Sequence, residues 1–290
     1  MSAVHSRRPS SIKIYLAEGR PDGLRLVEKS NWTGLAVVCS RSDYVRVRQR
    51  EEWARPGVYL LHGPSQEDGL RDLLYIGEAD DVRYRVDSHV RGKDFWTTVV
   101  AFTSKDDNLN KAHVRYLEAR LLQLAFAADR ATVQNGTSPP LPRLSEADAA
   151  DMEAYLDEML VILPLLGIGM FEVIEKDAPS ADRLHLAGKD AIASGVETSE
   201  GFVVFEGSLG RADTVPSLHR YVQVLRERLL AEGVMKPEGK HLRFIKSHLF
   251  DSPSTAAAVV LGRTANGRIE WKDETGVTLR QRQEAALTSP

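Results

Sequence analysis

Five polar side chains in the first half of the chain combine the groups that phosphodiester hydrolysis requires. They are two phenols, one guanidinium, one imidazole and one carboxylate, namely Tyr59, Tyr75, Arg85, His89 and Glu118. The carboxylate would hold a divalent metal ion, and the guanidinium would neutralise the charge that develops at phosphorus. A phenol or the imidazole would take a proton from the attacking water. The set therefore suggests an enzyme that hydrolyses phosphodiesters.

The spacing of these residues allows them to meet, but each also has a structural interpretation. Arg85 and His89 are four residues apart and share one face of a predicted helix. Glu118 lies beside the apolar stripe of a second predicted helix, where we expect it to be partly shielded from water. Structurally, a strand tyrosine usually packs in a core, and a helical histidine often lies at the surface or caps the helix. Glu118 could simply pair with Arg115 or Arg85.

The elements that must position these residues follow from patterns of apolar and β-branched side chains. These patterns predict five strands, over residues 12–16, 35–39, 57–62, 73–77 and 97–103. Apolar residues at spacings of three and four predict helices over residues 81–91 and 109–128. The order of strands and helices predicts a small domain of mixed α and β structure.

Four motifs follow one another in a set order between residues 55 and 136. They are GVYLL (57–61), LLYIGEADDVRYRVDSH (73–89), a helix that bears Glu118, and Gln134-Asn135-Gly136. This ordered series resembles the GIY-YIG nuclease superfamily. The resemblance implies an α+β fold in which a small three-stranded antiparallel sheet is flanked by helices. It also implies that water attacks DNA phosphodiesters, with Mg²⁺ or Mn²⁺ as the cofactor.

The resemblance also implies a catalytic role for individual residues. They are Tyr59 of the GIY motif, Tyr75 of the YIG motif, Arg85, His89, Glu118 and Asn135. Glu118 would be the single metal-binding carboxylate, and Asn135 would help to organise the site. Gly57 and Gly77 are the motif glycines, for which we expect a close approach of the backbone. Which tyrosine acts as the general base stays open, since a phenol of pKa about 10 needs a metal ion, a cation or a low dielectric to assist it.

The C-terminal flank carries a second resemblance. Its motifs are SPSTAAA (252–258), GRTANG (262–267) and IEW (269–271), and they are similar to a domain of uncharacterised function that commonly follows GIY-YIG domains. Ser252 can cap an Ala/Val-rich helix with Pro253 in its first turn, and Asn266-Gly267 predicts a turn into a strand. One interpretation is a packing helix and hairpin with Trp271 in the core. The other is a DNA-recognition module, whose nucleic-acid-binding residues would be Arg263, Asn266, Arg268, Trp271 and Lys272.

Two further patterns involve arginines. Arg46, Arg48 and Arg50 alternate, so a strand would place them on one face, where they could bind phosphates or protect an exposed edge. Residues 217–233 predict an amphipathic surface helix that begins at Ser217. The arginines of its polar side are Arg220, Arg226 and Arg228.

Charge is distributed unevenly along the 290 residues. The 38 basic and 41 acidic side chains give a net charge of −3, which argues against bulk coating of nucleic acid. By segment, residues 1–143 sum to +4, residues 144–200 to −10 and residues 201–290 to +3. The candidate site therefore lies in a mildly basic flank, and the negative charge lies in the middle of the chain.

These patterns divide the chain into four predicted segments. They are an N-terminal strand-rich extension (1–53), a GIY-YIG-like domain (54–143), an acidic helical connector (144–200) and a smaller α+β DNA-recognition domain (201–290). Prolines at 139, 140 and 142 mark one boundary, and Ser145-Glu-Ala-Asp148 predicts a capping box that begins a helix. The connector is either a solvated helix or a segment that covers the site until DNA displaces it.

We therefore expect a metal-dependent endonuclease whose partner is double-stranded DNA. The alternative is a non-cleaving nucleic-acid-binding or scaffolding protein that retains the fold. The single cysteine, Cys39, excludes an internal disulfide, and the longest apolar stretch (159–171) is shorter than the about 20 residues of a membrane span. We expect a cytoplasmic protein without a membrane partner, and the sequence leaves its oligomeric state open.

Overall fold

The computed structural model describes residues 9–64, 71–137, 139–171, 182–216 and 218–288. The chain divides into two compact units, Met1–Val173 and Ile174–Pro290. Each unit mixes α-helices with its own β-sheet, in agreement with the expected α+β class, and the two are described separately. None of the helices in the described ranges combines the length and the apolar character that a membrane crossing requires.

The described part of the first unit contains seven strands, four α-helices and one short 3-10 helix. The strands are β1 (Ile12–Leu16), β2 (Arg25–Lys29), β3 (Gly34–Ser40), β4 (Gly57–Gly63), β5 (Leu73–Ala79), β6 (Thr98–Ser104) and β7 (Thr132–Val133). The helices are α1 (Arg41–Val47), α2 (Val82–Gly92), α3 (Lys111–Ala128) and α4 (Glu146–Leu165), and the 3-10 helix is Glu51–Ala54. All five predicted strands and both helices predicted around the site coincide with these elements.

The seven strands form one sheet in the order β1-β2-β3-β6-β4-β5-β7. Neighbouring strands are antiparallel except β5 and β7, which run parallel. The expected three-stranded sheet is therefore too small, because β3 pairs with β6 along its whole length and brings β1 and β2 into the same sheet. The N-terminal segment thus continues the sheet that carries the candidate site.

The first sheet is covered on both faces. Val58 and Leu60 of β4 lie in a core shared with α3 and α4, whereas Tyr59 and Leu61 lie in a core shared with α1 and α2. This alternation follows from the two-residue period of a strand. Because both faces are buried, β4 is an almost continuous apolar run, and its tyrosine faces α2.

Helix α4 belongs to the core of the first unit and is not a solvated connector. Ser145 caps it and accepts a hydrogen bond from the backbone N–H of Asp148 at 3.1 Å, as the predicted capping box requires. Met159 is fully buried, and the Tyr155 hydroxyl donates to the carbonyl oxygen of Thr103 at 2.7 Å. Release of α4 to uncover a site would therefore disrupt this core.

The segment around Arg46 is a helix, which contradicts the expected strand. Ser40 caps α1 and accepts a hydrogen bond from the backbone N–H of Asp43 at 3.1 Å. Each of the three alternating arginines contacts a carboxylate: Arg46 contacts Glu18 and Asp43, Arg48 contacts Asp87, and Arg50 contacts Glu52. These arginines therefore do not form a free cationic stripe for phosphates.

The described part of the second unit contains seven strands and four helices. The strands are β8 (Leu184–Gly188), β9 (Ala191–Thr198), β10 (Gly201–Val204), β11 (Leu209–Arg211), β12 (Met235–Glu238), β13 (His241–Phe244) and β14 (His248–Phe250). The helices are α5 (Arg220–Ala231), α6 (Pro253–Leu261), α7 (Gly267–Glu270) and α8 (Leu279–Thr288). The sheet order is β12-β13-β11-β9-β10-β14, with β8 paired to β9. Strands β8 and β9 lie within the range expected to be connector, so this sheet begins before residue 201.

Helix α6 forms as its local sequence predicts. Ser252 caps it and accepts a hydrogen bond from the backbone N–H of Thr255 at 3.1 Å, and Pro253 occupies its first turn. All of its residues from Ala256 to Leu261 are buried. The Ala/Val-rich sequence thus makes α6 the central helix of the second core.

Arg226 of α5 is buried, which contradicts the expected surface position. Ser217, the expected first residue of this helix, lies outside the described residues, and the observed helix begins at Arg220. The Arg226 guanidinium donates hydrogen bonds to three backbone carbonyl oxygens, those of Val259, Arg211 and Ala212. A guanidinium can be buried in this way because several of its N–H groups have partners.

Candidate active site

Tyr59 and Tyr75 lie on neighbouring strands and on the same face of the first sheet. Tyr59 of β4 is opposite Gly77 of β5, and Tyr75 is opposite Leu61. The centroids of the two phenol rings are 6.3 Å apart. Tyr59 is fully buried, whereas Tyr75 is partly exposed. The structure thus brings the two phenols together, one inside the core and one at its surface.

The two motif glycines make room for their neighbours. A Cβ atom at Gly77 would lie 2.4 Å from the hydroxyl oxygen of Tyr59. A Cβ atom at Gly57 would lie 2.5 Å from the carbonyl oxygen of Phe102. Both distances are shorter than a normal van der Waals contact, so a larger residue would displace a ring or a strand. The expected close approach of the backbone is confirmed at Gly57, whereas at Gly77 the close neighbour is the side chain of Tyr59.

Helix α2 brings His89 into contact with both tyrosines. The Asp81 carboxylate caps α2 by accepting a hydrogen bond from the backbone N–H of Tyr84 at 3.0 Å, which fixes where the helix begins. His89 Nε2 lies 2.8 Å from the hydroxyl oxygen of Tyr59. The His89 ring also stands edge-on to the ring of Tyr75, with centroids 4.9 Å apart.

Burial determines the protonation states in this cluster. Burial, followed by the positive charges of Lys93 and Arg85, lowers the pKa of His89 to about 4. The imidazole is therefore neutral at pH 7 and can accept a proton. Burial and the neighbouring Tyr75 raise the pKa of the Tyr59 phenol above its ordinary value, and Arg85 opposes this in part.

Arg85 lies on α2 one turn before His89 and is exposed. The nearby phenol of Tyr59 is the main cause that raises the pKa of the Arg85 guanidinium. No carboxylate in the described part of the chain forms an ion pair with it. Arg85 therefore presents a permanent positive charge beside the two tyrosines.

Glu118 is a partly buried carboxylate on α3. Burial, followed by repulsion from Glu78, raises the pKa of Glu118 to about 7. Three cations oppose this rise in part, namely Arg85, Lys111 and Arg115. Among the described residues, no group donates a hydrogen bond to Glu118 or forms an ion pair with it. A carboxylate in this state is stabilised by a bound cation, so Glu118 fits a metal ligand.

The described residues contain no larger cluster of metal-binding side chains around Glu118. Within the described ranges, no three His, Cys, Asp or Glu side chains are grouped so that they could hold one. Mg²⁺ commonly binds one or two carboxylates and completes its coordination with water and substrate phosphate oxygens. Glu118 alone is therefore compatible with such an ion.

Helix α3 neutralises the acidic residue that follows the YIG-like segment. Lys111 Nζ lies 2.7 Å from Glu78 Oε2, and Arg115 Nε lies 3.7 Å from Glu78 Oε1. Lys111 also lies 3.3 Å from Asp80. Sequence reasoning missed this network, because Glu78 and Lys111 are 33 residues apart.

Asn135 uses its side chain to extend the edge of β5. Its Oδ1 accepts a hydrogen bond from the N–H of Ile76 at 3.0 Å, and its Nδ2 donates to the carbonyl oxygen of Ile76 at 2.7 Å. Strand β7 pairs with β5 only as far as Leu74, so the side chain continues that pairing. Because Ile76 lies between Tyr75 and Gly77, Asn135 holds the backbone next to both.

Lys93 also belongs to this cluster, although no motif marks it. Its Nζ lies 4.5 Å from the centroid of the Tyr75 ring. It follows the last residue of α2, and its backbone N–H donates to the carbonyl oxygen of His89 at 2.9 Å. The signal that could have found it is its spacing, four residues after His89 and eight after Arg85.

In the second unit, the structure favours the packing interpretation for Trp271. The indole is fully buried, and its N–H donates to the carbonyl oxygen of Pro253 at 3.0 Å. The centroids of the Trp271 and Phe202 rings are 4.5 Å apart. Asn266 caps α7 by accepting a hydrogen bond from the backbone N–H of Arg268 at 3.1 Å. The expected turn into a strand is therefore wrong, since a one-turn helix occupies this position.

The three cations predicted near DNA in this unit lie in different surroundings. Arg263 pairs with Glu270 at 2.7 Å. Arg268 is exposed, and its Nε donates to Gln283 at 2.7 Å. Lys272 is exposed as well. Arg268 and Lys272 thus remain accessible, whereas Arg263 is already engaged by a carboxylate.

Comparison with known proteins gives two matches. Residues 184–283 match the family model described as "Domain of unknown function (DUF4357)", in agreement with the resemblance predicted for the C-terminal flank. A stretch of 87 residues, 29% of this chain, is 38% identical to a protein of Mycobacterium tuberculosis (strain CDC 1551 / Oshkosh). That relative is named "Putative bifunctional exonuclease/endonuclease protein MT2247", and the chain spans 12% of its length. No solved structure gives a significant match.

Proposed function

We propose that the first unit is a metal-dependent endonuclease of the GIY-YIG type that hydrolyses DNA. The observation that carries the proposal is the contact of His89 with both Tyr59 and Tyr75. A permanent cation, Arg85, and a half-buried carboxylate, Glu118, act electrostatically on the same surroundings. The groups that phosphodiester hydrolysis needs are thus assembled from two strands and two helices.

The relative from M. tuberculosis supports this proposal. Its name includes the words exonuclease and endonuclease. Because the chain spans only 12% of that relative, a nuclease activity of this chain is a proposal and not a transferred property. The match to a family of unknown function adds no activity of its own.

In the proposed reaction, Tyr59 and His89 transfer a proton. The Tyr59 hydroxyl takes a proton from the attacking water while passing its own proton to the neutral imidazole, which lies 2.8 Å away. Tyr75 is partly exposed and touches the same imidazole, so it is placed to orient the water from the solvent side. The direct contact with His89 favours Tyr59 over Tyr75 as the phenol that exchanges the proton.

Arg85 and Glu118 complete the proposed machinery. The Arg85 guanidinium stabilises the negative charge that develops on the phosphate oxygens. Glu118 would hold the divalent cation. Bound Mg²⁺ or Mn²⁺ would supply Lewis-acid stabilisation of the phosphate and of the oxygen that leaves when the P–O bond breaks. Binding requires ionised Glu118, whose raised pKa of about 7 keeps part of the population protonated at neutral pH. With one protein carboxylate we expect weak metal affinity, so chelators should remove the ion readily.

The second unit has a narrower place in this proposal. Arg268 and Lys272 are exposed cations and are candidates for contacts with DNA phosphates. Trp271 has no part in it, because its ring lies in the core. Replacing both cations with alanine should weaken binding of a DNA duplex uniformly across sequences. An unchanged affinity would contradict the proposal that these two residues contact DNA phosphates.

A cleavage assay with matched variants tests the proposal. Full-length protein is incubated with plasmid, single-stranded DNA or RNA in the presence of Mg²⁺, Mn²⁺ or EDTA. We expect metal-dependent nicking of the plasmid that is lost in EDTA and in the variants Glu118→Gln and Arg85→Ala. The controls are Glu227→Gln, which changes an exposed carboxylate of α5, and Arg91→Ala, which changes an exposed arginine of α2. Both should retain activity.

Two outcomes would contradict the proposal in different ways. If the Glu118→Gln variant still cleaves DNA, Glu118 is not the residue that binds the metal ion. No cleavage of any substrate in either metal, by folded protein that still binds nucleic acid, would favour the non-cleaving alternative. Circular dichroism and size-exclusion profiles establish that each variant is folded.

A further inference from the structure

Lys93 places a cation next to the part of the cluster that is open to solvent. Its Nζ lies over the ring of Tyr75, the partly exposed tyrosine, at 4.5 Å from the centroid. Within the described residues, no carboxylate forms an ion pair with Lys93. An ammonium group that lies over a partly exposed ring, with no carboxylate partner in the described part of the chain, is suited to bind a phosphate.

We propose that Lys93 binds a backbone phosphate of the DNA substrate and thereby couples DNA binding to proton transfer at His89. The inference rests on the proposed function, because it assigns a substrate contact at the same site. Tyr59 is fully buried, so a substrate must approach the cluster from the side of Tyr75, where Lys93 lies.

The coupling follows from the groups that surround His89. Tyr59 faces it from β4 and Tyr75 faces it from β5. Arg85 acts on it from α2, and Lys93 acts on it from the position that follows α2. Both cations disfavour a positive charge on the imidazole, and together with burial they keep it neutral. A phosphate that neutralises Lys93 removes part of this opposition. His89 therefore accepts the Tyr59 proton more readily when DNA is bound.

This arrangement has a consequence for the free protein. Before DNA binds, proton transfer from Tyr59 to His89 would create an imidazolium close to two cations, Lys93 and Arg85. Once a phosphate neutralises Lys93, the same transfer creates an imidazolium that only Arg85 still opposes. The site thus becomes competent for proton transfer when substrate is in place, by electrostatics alone and without a conformational change.

The test uses Lys93→Met, which removes the charge, and Lys93→Arg, which retains it. Arg91→Met is the matched control, because it removes an exposed cation of α2 whose Nε donates to the carbonyl oxygen of Asp87. The His89 imidazole is titrated by NMR in metal-free buffer, with and without a short DNA duplex. DNA affinity is measured in EDTA as a function of salt concentration.

Three results are expected. Lys93→Met should raise the His89 pKa above its value of about 4, whereas Lys93→Arg and Arg91→Met should leave it near that value. The duplex should raise the His89 pKa in the wild type and change it less in Lys93→Met. The slope of log K against log salt should decrease by about 0.9 in Lys93→Met, the loss of one phosphate contact.

The inference is overturned if Lys93→Met titrates as the wild type does, or if it binds DNA with an unchanged salt slope. Neither measurement requires cleavage, so a protein that binds DNA but never cuts it would defeat the proposed function and leave these results interpretable. Activity that falls in Lys93→Met and recovers in Lys93→Arg supports the inference further. Loss of activity in Lys93→Arg with a normal His89 titration would count against the charge as the cause.

Discussion

Tyr59 and His89 are 30 residues apart in the chain, yet the hydroxyl oxygen of one lies 2.8 Å from Nε2 of the other. Both residues are buried, and each satisfies a polar atom of its partner inside an apolar core. The contact requires that β4 turns Tyr59 toward α2 and that α2 begins at Asp81. It also requires that no side chain stands at Gly77.

Gly77→Ala should lower both stability and activity. Its Cβ would lie 2.4 Å from the Tyr59 hydroxyl oxygen, so the ring or the strand must move. Overpacking of this kind costs about 1–3 kcal/mol, and the displaced hydroxyl would lose its contact with His89. Urea unfolding measures the first effect, and metal-dependent nicking measures the second.

Gly92→Ala is the matched control for this substitution. Nothing lies within 4 Å of a Cβ atom at Gly92, the last residue of α2. We expect its stability to change by less than about 0.5 kcal/mol. If the two substitutions changed stability and activity equally, the absence of a side chain at Gly77 would not be required to accommodate the Tyr59 hydroxyl.

Glu118→Gln should change how stability depends on pH. The pKa of Glu118 is about 7 in the folded chain and 4.5 in its ordinary state, so the folded chain binds more protons between these values. The stability that Glu118 contributes is therefore present below pH 4.5 and lost as pH rises through about 7. Glutamine does not titrate, so the variant should gain stability relative to wild type as the pH is raised.

His89 acts in the opposite direction, because its pKa falls from 6.5 to about 4 on folding. Its contribution is present above pH 6.5 and lost as pH falls through about 4. Comparing Glu118→Gln with wild type cancels this contribution, since both proteins contain His89. Urea unfolding in EDTA at several pH values provides the measurement. Parallel curves for the two proteins would contradict the raised pKa of Glu118.

Mg²⁺ should raise the melting temperature of the wild type and not that of Glu118→Gln. A cation that binds only the folded state stabilises it by mass action, and Glu118 is the carboxylate that would receive it. The effect should grow as pH rises through about 7, where Glu118 ionises, and EDTA should reverse it. Thermal scans with increasing Mg²⁺ provide the measurement, and Glu227→Gln should respond as the wild type does. If Mg²⁺ raised the melting temperature of Glu118→Gln as much as that of the wild type, the ion would bind at a site that does not include Glu118.

Asn135→Ala should reduce activity through the backbone of β5. It removes both hydrogen bonds to Ile76 and leaves part-buried backbone groups without partners, at a cost of about 1–3 kcal/mol. The strand next to Tyr75 and Gly77 would then lose its edge support. Asn108→Ala changes an exposed asparagine and should have little effect. Normal nicking by a destabilised Asn135→Ala variant would show that this support is not needed for the site.

Local signals in the sequence were sufficient to predict the elements around the site. Alternating and β-branched residues predict β4, β5 and β6, and helical spacing predicts α2 and α3. Ser145 and Ser252 predict the first residues of α4 and α6, because a cap acts within one turn of the chain. The positions of the candidate site residues along their elements could therefore be predicted as well.

Features that depend on distant parts of the chain could not be predicted. The pairing of β3 with β6 joins segments about 60 residues apart, and no local pattern specifies it. The alternation of Arg46, Arg48 and Arg50 fits a strand, yet a cap at Ser40 begins a helix that ends at Val47. Carboxylates from other segments pair with all three arginines. The contact of Lys93 with Tyr75 depends on how α2 lies across β5. In each case tertiary partners, and not local propensity, decide the outcome.

Arg226→Met should destabilise the second unit far more than a change to any exposed arginine of α5. The guanidinium is 4% exposed, and its N–H groups donate to three backbone carbonyls inside the core. Burial is the main cause that lowers its pKa. Removing it leaves those carbonyls unsatisfied, which costs about 1–3 kcal/mol for each group. Arg220→Met, at an exposed position of the same helix, should change stability by less than about 0.5 kcal/mol. Urea unfolding followed by circular dichroism compares the two, and a small effect at Arg226 would mean that water can replace its hydrogen bonds.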